Sequence, residues 1–362
     1  MIKRDIPKIR FYSYQGAWTE KRIADMVKIS AGGDVDKIKL KESGKYPVVA
    51  NALTNKGIIG FYDDFKVNAP AVTVTGRGDV GYAVARHENF TPVVRLLTLQ
   101  SENIDVDYLE NQINSMRILN ESTGVPQLTA PQLGNYKVSH PEIDEQSAIG
   151  SLFRTIDELL ASYKDNLANH QSLKGTMLSK MFPKAGQTVP EIRLDGFEGE
   201  WERKSLSEVC TINSGRDYKH LKNGDIPVYG TGGYMLSVNE KLSDEDAIGI
   251  GRKGTIDKPY LLLAPFWTVD TLFYVTCKVG YDLNYLFLIF QKVRWKKFDE
   301  STGVPSLSKK TIEKVVSKFP SLSEQQAIGA YFSNLDNLIA TQQEKITQLE
   351  TLKKKLLQDM FI

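Results

Sequence analysis

Hydrophobic and polar positions along this 362-residue chain follow two rhythms, and each rhythm occurs twice. Tyr46 to Ala50, Gly57 to Tyr62, Ala71 to Thr75, Gly81 to Ala85 and Val93 to Leu99 are short β-branched or apolar runs broken by Gly, Asn and Pro, which predicts strands. Ile226 to Tyr229, Ala247 to Ile250, Tyr260 to Leu263 and Phe266 to Thr276 repeat the style. A helical pattern follows each set, Val106 to Leu119 and then Leu283 to Lys297. From Ile143 to Met181 and from Leu322 to Phe361 proline is absent, and apolar residues recur at heptad spacing. The first series is Ile149, Leu152, Ile156, Leu159, Tyr163, Leu173 and Met177; the second is Ile328, Tyr331, Leu335, Leu338, Gln342, Leu352 and Leu356. Each predicts a helix of about 40 residues, roughly 60 Å long and far longer than a globule needs. Neither is apolar enough to be buried on all sides, so the simplest partner for each is the other. Polar residues interrupt both seams, Asn166 and His170 in one and Gln342 and Lys345 in the other. Buried, they would fix register at a cost in stability; at a gap between partners they would sit in water.

The rhythms repeat because the sequence does. Glu121-Ser122-Thr123-Gly124-Val125-Pro126 returns as Glu300-Ser301-Thr302-Gly303-Val304-Pro305. At one constant offset downstream, Glu145-Gln146 meets Glu324-Gln325, Ala148-Ile149-Gly150 meets Ala327-Ile328-Gly329, and Met181-Phe182 meets Met360-Phe361. The opening segments also match, Pro7 to Phe11 and Trp18 against Pro190 to Leu194 and Trp201, while the middles between them diverge. A repeat this long is a domain with its own core rather than a solenoid unit of roughly 20 to 50 residues. The expected fold is α+β: two tandem mixed α/β domains separated by two long helices that pair as an antiparallel coiled coil about a pseudo-two-fold axis. The expected boundaries are 1–142 for the first domain, 143–182 for the central helix, 183–320 for the second domain and 321–362 for the last helix. Such a frame is a molecular ruler, set near one to one and a half turns of B-DNA (~34 to 36 Å per turn) if the domains read DNA.

Composition narrows the chemistry. Forty-six basic residues against 44 acidic ones give a net charge of +2, too small to announce a nucleic-acid binder, so any basic surface must come from local placement. No apolar run approaches the ~20 residues of a membrane span, and the start lacks an apolar leader, which points to a soluble, cytoplasmic protein without a membrane partner. Cys210 and Cys277 lie in apolar stretches without CxxC or Cys/His spacing, as buried reduced thiols would. Gly249 to Thr255 has the wrong spacing for a phosphate loop, and no Asn/Asp-Pro-Pro-Tyr/Phe or G-x-G-x-x-G motif occurs. His87, His140, His170 and His220 lack a nucleophile or carboxylate at recognisable spacing and read as surface or packing residues. No catalytic residue, metal ligand or cofactor site is expected.

The suggestive elements are two Gly-Arg loops, Thr75-Gly76-Arg77-Gly78-Asp79 and Ile250-Gly251-Arg252-Lys253-Gly254. Glycines let a hairpin tip approach another backbone, and an Arg held between them can offer its fork to phosphate or to guanine O6/N7. An ordinary hairpin with a solvated Arg would look the same. Basic and aromatic residues also interleave on glycine-rich loops at Arg216, Tyr218 and Lys219 and around Tyr234, with Asn55 and Lys56 as first-copy counterparts. The DNA-contacting candidates are therefore Asn55, Lys56, Thr75, Arg77, Arg216, Tyr218, Lys219, Tyr234, Arg252 and Lys253. The candidates for coiled-coil and subunit docking are Ile149, Leu152, Ile156, Leu159, Ile328, Tyr331, Leu335 and Leu338.

A matched opening (Gly196-Phe197-Glu198-Gly199-Glu200-Trp201), a divergent middle with a Gly-Arg loop, a Ser-Thr-Gly-Val-Pro turn and Glu-Gln-x-Ala-Ile-Gly opening a long helix all occur in tandem. In this the chain resembles, over essentially its whole length, the specificity subunit of a type I restriction-modification system. The resemblance implies two target-recognition domains, each reading one half of a split, asymmetric site in double-stranded DNA. It also implies docking of two adenine methyltransferase subunits and, through them, restriction subunits. Catalysis, S-adenosylmethionine binding and ATP-driven translocation would belong to those partners. The rival readings are a self-contained methyltransferase or nuclease, which needs a motif not found, a free-standing bipartite DNA-binding protein, which leaves the helices without a client, and a coiled-coil adaptor without salt-dependent DNA affinity.

Overall fold

The computed structural model describes residues 7–118 and 124–361. Leu119, at the expected end of the first short helix, and Glu121, Ser122 and Thr123 of the first repeated turn lie outside them. The chain divides into two units, Met1–Asp165 with Gln343–Ile362, and Asn166–Gln342.

In unit 1, β2 (Lys28–Ala31), β8 (Leu97–Gln100), β5 (Ala71–Val74) and β6 (Ala83–Arg86) form an antiparallel sheet in that order. A second sheet places β3 (Tyr46–Val49) between antiparallel β4 (Ile58–Tyr62) and parallel β7 (Thr91–Pro92). β1 (Thr19–Arg22) pairs with β9 (Lys137–His140). The helices are α1 (Ile23–Met26), α2 (Val106–Ser115), α3 (Ala130–Gly134) and the first part of α4 (Ile143–Lys180).

Unit 2 repeats the plan strand for strand. β11 (Cys210–Ser214), β17 (Leu272–Cys277), β14 (Ala247–Gly251) and β15 (Tyr260–Leu262) make the four-stranded sheet. β12 (Asn223–Gly230) lies between antiparallel β13 (Gly233–Val238) and parallel β16 (Trp267–Thr268), and β10 (Glu202–Ser205) pairs with β18 (Val316–Phe319). Its helices are α5 (Leu206–Val209), α6 (Leu283–Lys292), α7 (Lys309–Glu313) and the first part of α8 (Leu322–Asp359). The divergent middles therefore share one topology.

The matched residues are those that join helix to globule. Asp105 and Asp282 cap α2 and α6, accepting from Tyr108 N at 2.9 Å and Tyr285 N at 2.8 Å. Gln146 and Gln325 each hold such a cap from the long helix: their Oε1 accepts from the cap residue's N–H at 3.2 and 3.1 Å, and their Nε2 donates to Pro141 O and Pro320 O, both at 2.9 Å. The neighbouring Glu145 and Glu324 are buried and receive bidentate bonds from Arg10 and Arg193 of the opening segments.

The ends of the long helices are exchanged. Met360 and Phe361, which follow α8, complete the core of unit 1 with Trp18, Tyr108, Ile149 and Phe153. Met181 and Phe182, which follow α4, pack in unit 2 with Trp201, Tyr285, Ile328 and Phe332. Within each unit the helices run antiparallel. In unit 1 Lys353 meets Asp157 at 2.6 Å and Glu350 meets Lys164 at 2.7 Å. In unit 2 Lys174 meets Asp336 at 2.6 Å, and the Phe182 and Phe332 ring centroids lie 6.4 Å apart.

Several expectations change. The strand pairs β1–β9 and β10–β18 have no apolar run to mark them in the sequence. The run from Val93 does not enter the sheet until Leu97, because Val94 and Arg95 take left-handed φ of 52° and 61°. α6 stops at Lys292, before a separate turn at Trp295–Phe298. Cys210 and Cys277 face each other across β11 and β17, with burial pushing both thiols up to about 12. His87, read as unpartnered, meets Asp107 Oδ1 at 2.9 Å.

The heptad seam keeps Ile149, Ile156, Ile328 and Leu335 but shifts by one residue at the positions between them. Ile149, Phe153, Ile156 and Leu160 are buried in the first helix and Ile328, Phe332 and Leu335 in the second, while Leu152 and Tyr331 are half-buried. Leu159 is 43% exposed and Leu338 49%. Of the central polar residues, Asn166 and Lys345 are exposed, whereas His170 Nδ1 and Gln342 Oε1 are shut from solvent without a hydrogen-bond partner among the described residues.

Candidate nucleic-acid interface

In unit 1 the tip between β5 and β6 is shaped from inside by Thr75. Its hydroxyl donates to Asp79 O and accepts from Tyr82 N at 2.9 Å, and the residue is only 4% exposed. Thr75 thus builds the tip instead of facing outward. A Cβ on Gly76 would lie 2.6 Å from Arg95 O, so the strand exit admits only glycine, and Arg77 projects into solvent beyond it. Asn51 ties this tip to its neighbours: its Oδ1 accepts from Gly76 N at 2.7 Å and its Nδ2 donates to Val94 O. Asn55 and Lys56 lie exposed on the loop that follows, both with left-handed φ, and Arg86 Nη2 holds Lys56 O at 2.6 Å. Asn55, Lys56 and Arg77 are thereby brought to linked loops of one unit.

The repeated turn is bonded to this tip. Gly78 N donates to Pro126 O at 3.0 Å and Leu128 N to Gly76 O at 2.9 Å. In unit 2 Gly254 N donates to Pro305 O at 2.8 Å and Leu307 N to Arg252 O at 2.9 Å. The bridges Arg77–Gln127 and Lys253–Ser306 fall between. This fixes a register that the sequence left loose. Arg77 is the counterpart of Lys253, and Arg252 stands where unit 1 has Gly76.

In unit 2 Arg252 is exposed, with its guanidinium 5.9 Å from the Phe273 ring centroid and its Nη1 3.5 Å from Asp270 O. A Cβ on Gly254 would lie 3.7 Å from Thr231 Oγ1, in the turn between β12 and β13, so the two hairpin ends come close to one another. Tyr234 is exposed beside that turn, edge-on to Tyr229, and its hydroxyl lies 3.2 Å from Ser237 Oγ. Arg216 and Lys219 are exposed on the loop leaving β11, where Trp267 Nε1 donates to Arg216 O at 3.0 Å. Tyr218 lies half-buried against the Val228–Trp267 cluster and anchors that loop. Sequence reasoning reached the stretch from Asn51 to Gly57 but missed the Val94–Arg95 turn, because a Val-Arg pair inside an apolar run carries no turn signal.

The helix candidates separate into two kinds. Ile149, Ile156, Ile328 and Leu335 are buried inside their own units, and Leu152 and Tyr331 pack at the edges of those cores. Leu159 and Leu338 face outward at equivalent positions.

The Type I restriction modification DNA specificity domain family matches the chain twice, over residues 15–169 and 198–351. The chain belongs to this family. Among specificity subunits, a putative one from Mycoplasma pneumoniae is 22% identical over 93% of this chain and 94% of its own length. The MjaVIII specificity subunit of Methanocaldococcus jannaschii is 22% identical over 94% and 91%. The crystal structure of the type I S subunit from M. genitalium has the same fold, with a TM-score of 0.76 at 19% identity over 99% of both chains. As a type I specificity subunit the chain serves DNA sequence specificity and is itself non-catalytic. DNA and the modification and restriction subunits are, in general kind, the partners of such a subunit. No described helix is long and apolar enough to cross a membrane.

Proposed function

We propose that each unit reads one half of an asymmetric, bipartite DNA target through its hairpin ends. In unit 1 the readers are Arg77, Asn55 and Lys56, with Thr75 shaping the loop. In unit 2 they are Arg216, Lys219, Tyr234, Arg252 and Lys253, with Tyr218 as an anchor. One observation carries this reading: the two tips occupy the same place in the same topology, held by the same bonds to the repeated turn, yet present Gly76-Arg77 in one unit and Arg252-Lys253 in the other. A constant frame with variable tips suits two different base sequences.

We also infer that two methyltransferase subunits dock on surfaces the copies share, restriction subunits joining through them, with one adenine modified in each half-site on opposite strands. Exposed apolar side chains recur at matched positions, Ile143 with Leu322, Leu159 with Leu338 and Leu173 with Leu352. Two identical partners would find the same contacts twice. This leaves domains at about 1–142 and 183–320, with helices 143–182 and 321–362 as the docking and spacing elements, in the cytoplasm where chromosomal DNA is reached.

The test replaces residues 28–104 by the matching segment of another family member, sparing Asp105, Tyr108 and the helix contacts, and sequences the methylome of cells that carry the methyltransferase partner. One half of the methylated motif should change. Alteration of both halves would overturn independent reading.

A further inference from the structure

The sequence Glu300–Pro305 recurs in the first copy although the neighbouring loops differ, so its role does not depend on the bases of either half-site. In unit 2 this turn and the Arg252–Lys253 tip bonded to it line a cleft of about 830 Å³. Lys309 and the hydroxyl-bearing Ser301, Thr302 and Ser308 complete the part of the lining that bears on the argument. Three of the lining residues are cations, and no ion pair among the described residues involves them. Glu300 is the one carboxylate in the lining. It is occupied by the hydroxyls of Thr311 and Ser308, which hold its carboxyl below the usual range and so keep it ionised. Its charge offsets one of the three cations and leaves an excess of positive charge. Gly303, exposed at the crest of the turn, allows a ligand close to the backbone.

We propose that this cleft seats a phosphodiester of the DNA backbone, with Lys309 as a sequence-independent charge contact and the exposed Thr302 hydroxyl as a donor, the Ser301 and Ser308 hydroxyls being already engaged by Asp299 and Glu300. The inference rests on the DNA-reading function proposed above and assigns a separate role within it. Phosphate contacts fix position and register, whereas base-edge contacts carry specificity. A turn bonded directly to the reading tip, as Gly254 N to Pro305 O is, would set the tip's height over the groove. A polar cleft lined by three cations and one carboxylate suits phosphoryl oxygens better than the apolar contact expected of a protein partner.

The experiment uses the full chain with its methyltransferase partner. Binding to a duplex carrying the methylated target, and to one with both half-sites scrambled, is measured over a series of salt concentrations. Lys309→Ala should weaken both duplexes by the same factor and reduce the slope of log K against log salt by about 0.9, the release of one phosphate's counterions. Lys309→Arg should keep most of both. An unchanged slope, or a loss confined to the target duplex, would overturn the phosphate seat. So would weakened association with the methyltransferase at unchanged DNA slope, which would make the cleft a protein contact. If the unsubstituted complex shows no salt-dependent binding to either duplex, the DNA-reading function fails with it. If that binding is normal and only the Lys309 outcome is contrary, the phosphate seat alone is refuted.

Discussion

Gly150 and Gly329 sit inside long helices, where glycine costs about 1 kcal/mol relative to alanine. The reason is the carboxylate in front of them. A Cβ on Gly329 would lie 2.6 Å from Asp282 Oδ1, and one on Gly150 would be nearer still to Asp105 Oδ1. Those oxygens are engaged as helix caps, so they cannot yield without exposing the first turn of α2 or α6. Gly329→Ala should therefore destabilise unit 2. The propensity gain of about 1 kcal/mol is outweighed by overpacking of roughly 1–3 kcal/mol and loss of a cap worth about 1 kcal/mol. Thermal unfolding of the variant would show it, and a rise in Tm would mean that the cap gives way freely.

Among elements, α2 and α6 hold the same place but differ in character. Glu110 of α2 stands where α6 carries the apolar Phe287, counting from the capping aspartates. Burial foremost, aided by Asp157 and Asp107 and opposed by an Ala85 backbone bond and Lys353, pushes the Glu110 carboxyl up to about 7. A carboxyl raised in the folded state binds a proton that the unfolded chain has already released. It therefore favours folding most fully below the unfolded value of about 4.3, and that contribution is lost as pH rises through about 7. Glu110→Gln should flatten the fall in unit 1 stability between pH 5 and 8, as read by Tm against pH; an unchanged profile would assign the fall to other groups. At this scale the sequence is also most legible and most deceptive. Glu-Gln, Ile-Gly and Met-Phe advertised the helices because each makes a long-range contact needed in both copies. Every second seam position was misplaced because adjacent apolar pairs, Leu152-Phe153 and Leu159-Leu160, fit two registers equally. Only the aromatic pocket of Trp18 and Tyr108, distant in sequence, selects Phe153. The tip register was hidden for a similar reason, since backbone bonds to Pro126 and Pro305 leave no trace in side-chain pattern.

For the whole molecule, exchange of the helix ends separates sequence position from structural allegiance. Phe361 stands 5.6 Å from the Tyr108 ring and 5.7 Å from Phe153, so Phe361→Ala should cost unit 1 about 3–5 kcal/mol while leaving unit 2 intact. Phe182→Ala should do the reverse through Trp201 and Tyr285. Hydrogen exchange of amides in β5 and β14 would resolve the two, and equal loss in both units for either variant would contradict the assignment. The same exchange sets an order in time. On the ribosome the strands of unit 1 are made first, but the side chains that close its core are made only after all of unit 2. Met181 and Phe182, in contrast, emerge before the strands they cover. The first unit begun is the last completed, and until then its aromatic pocket is open to whatever apolar surface it meets.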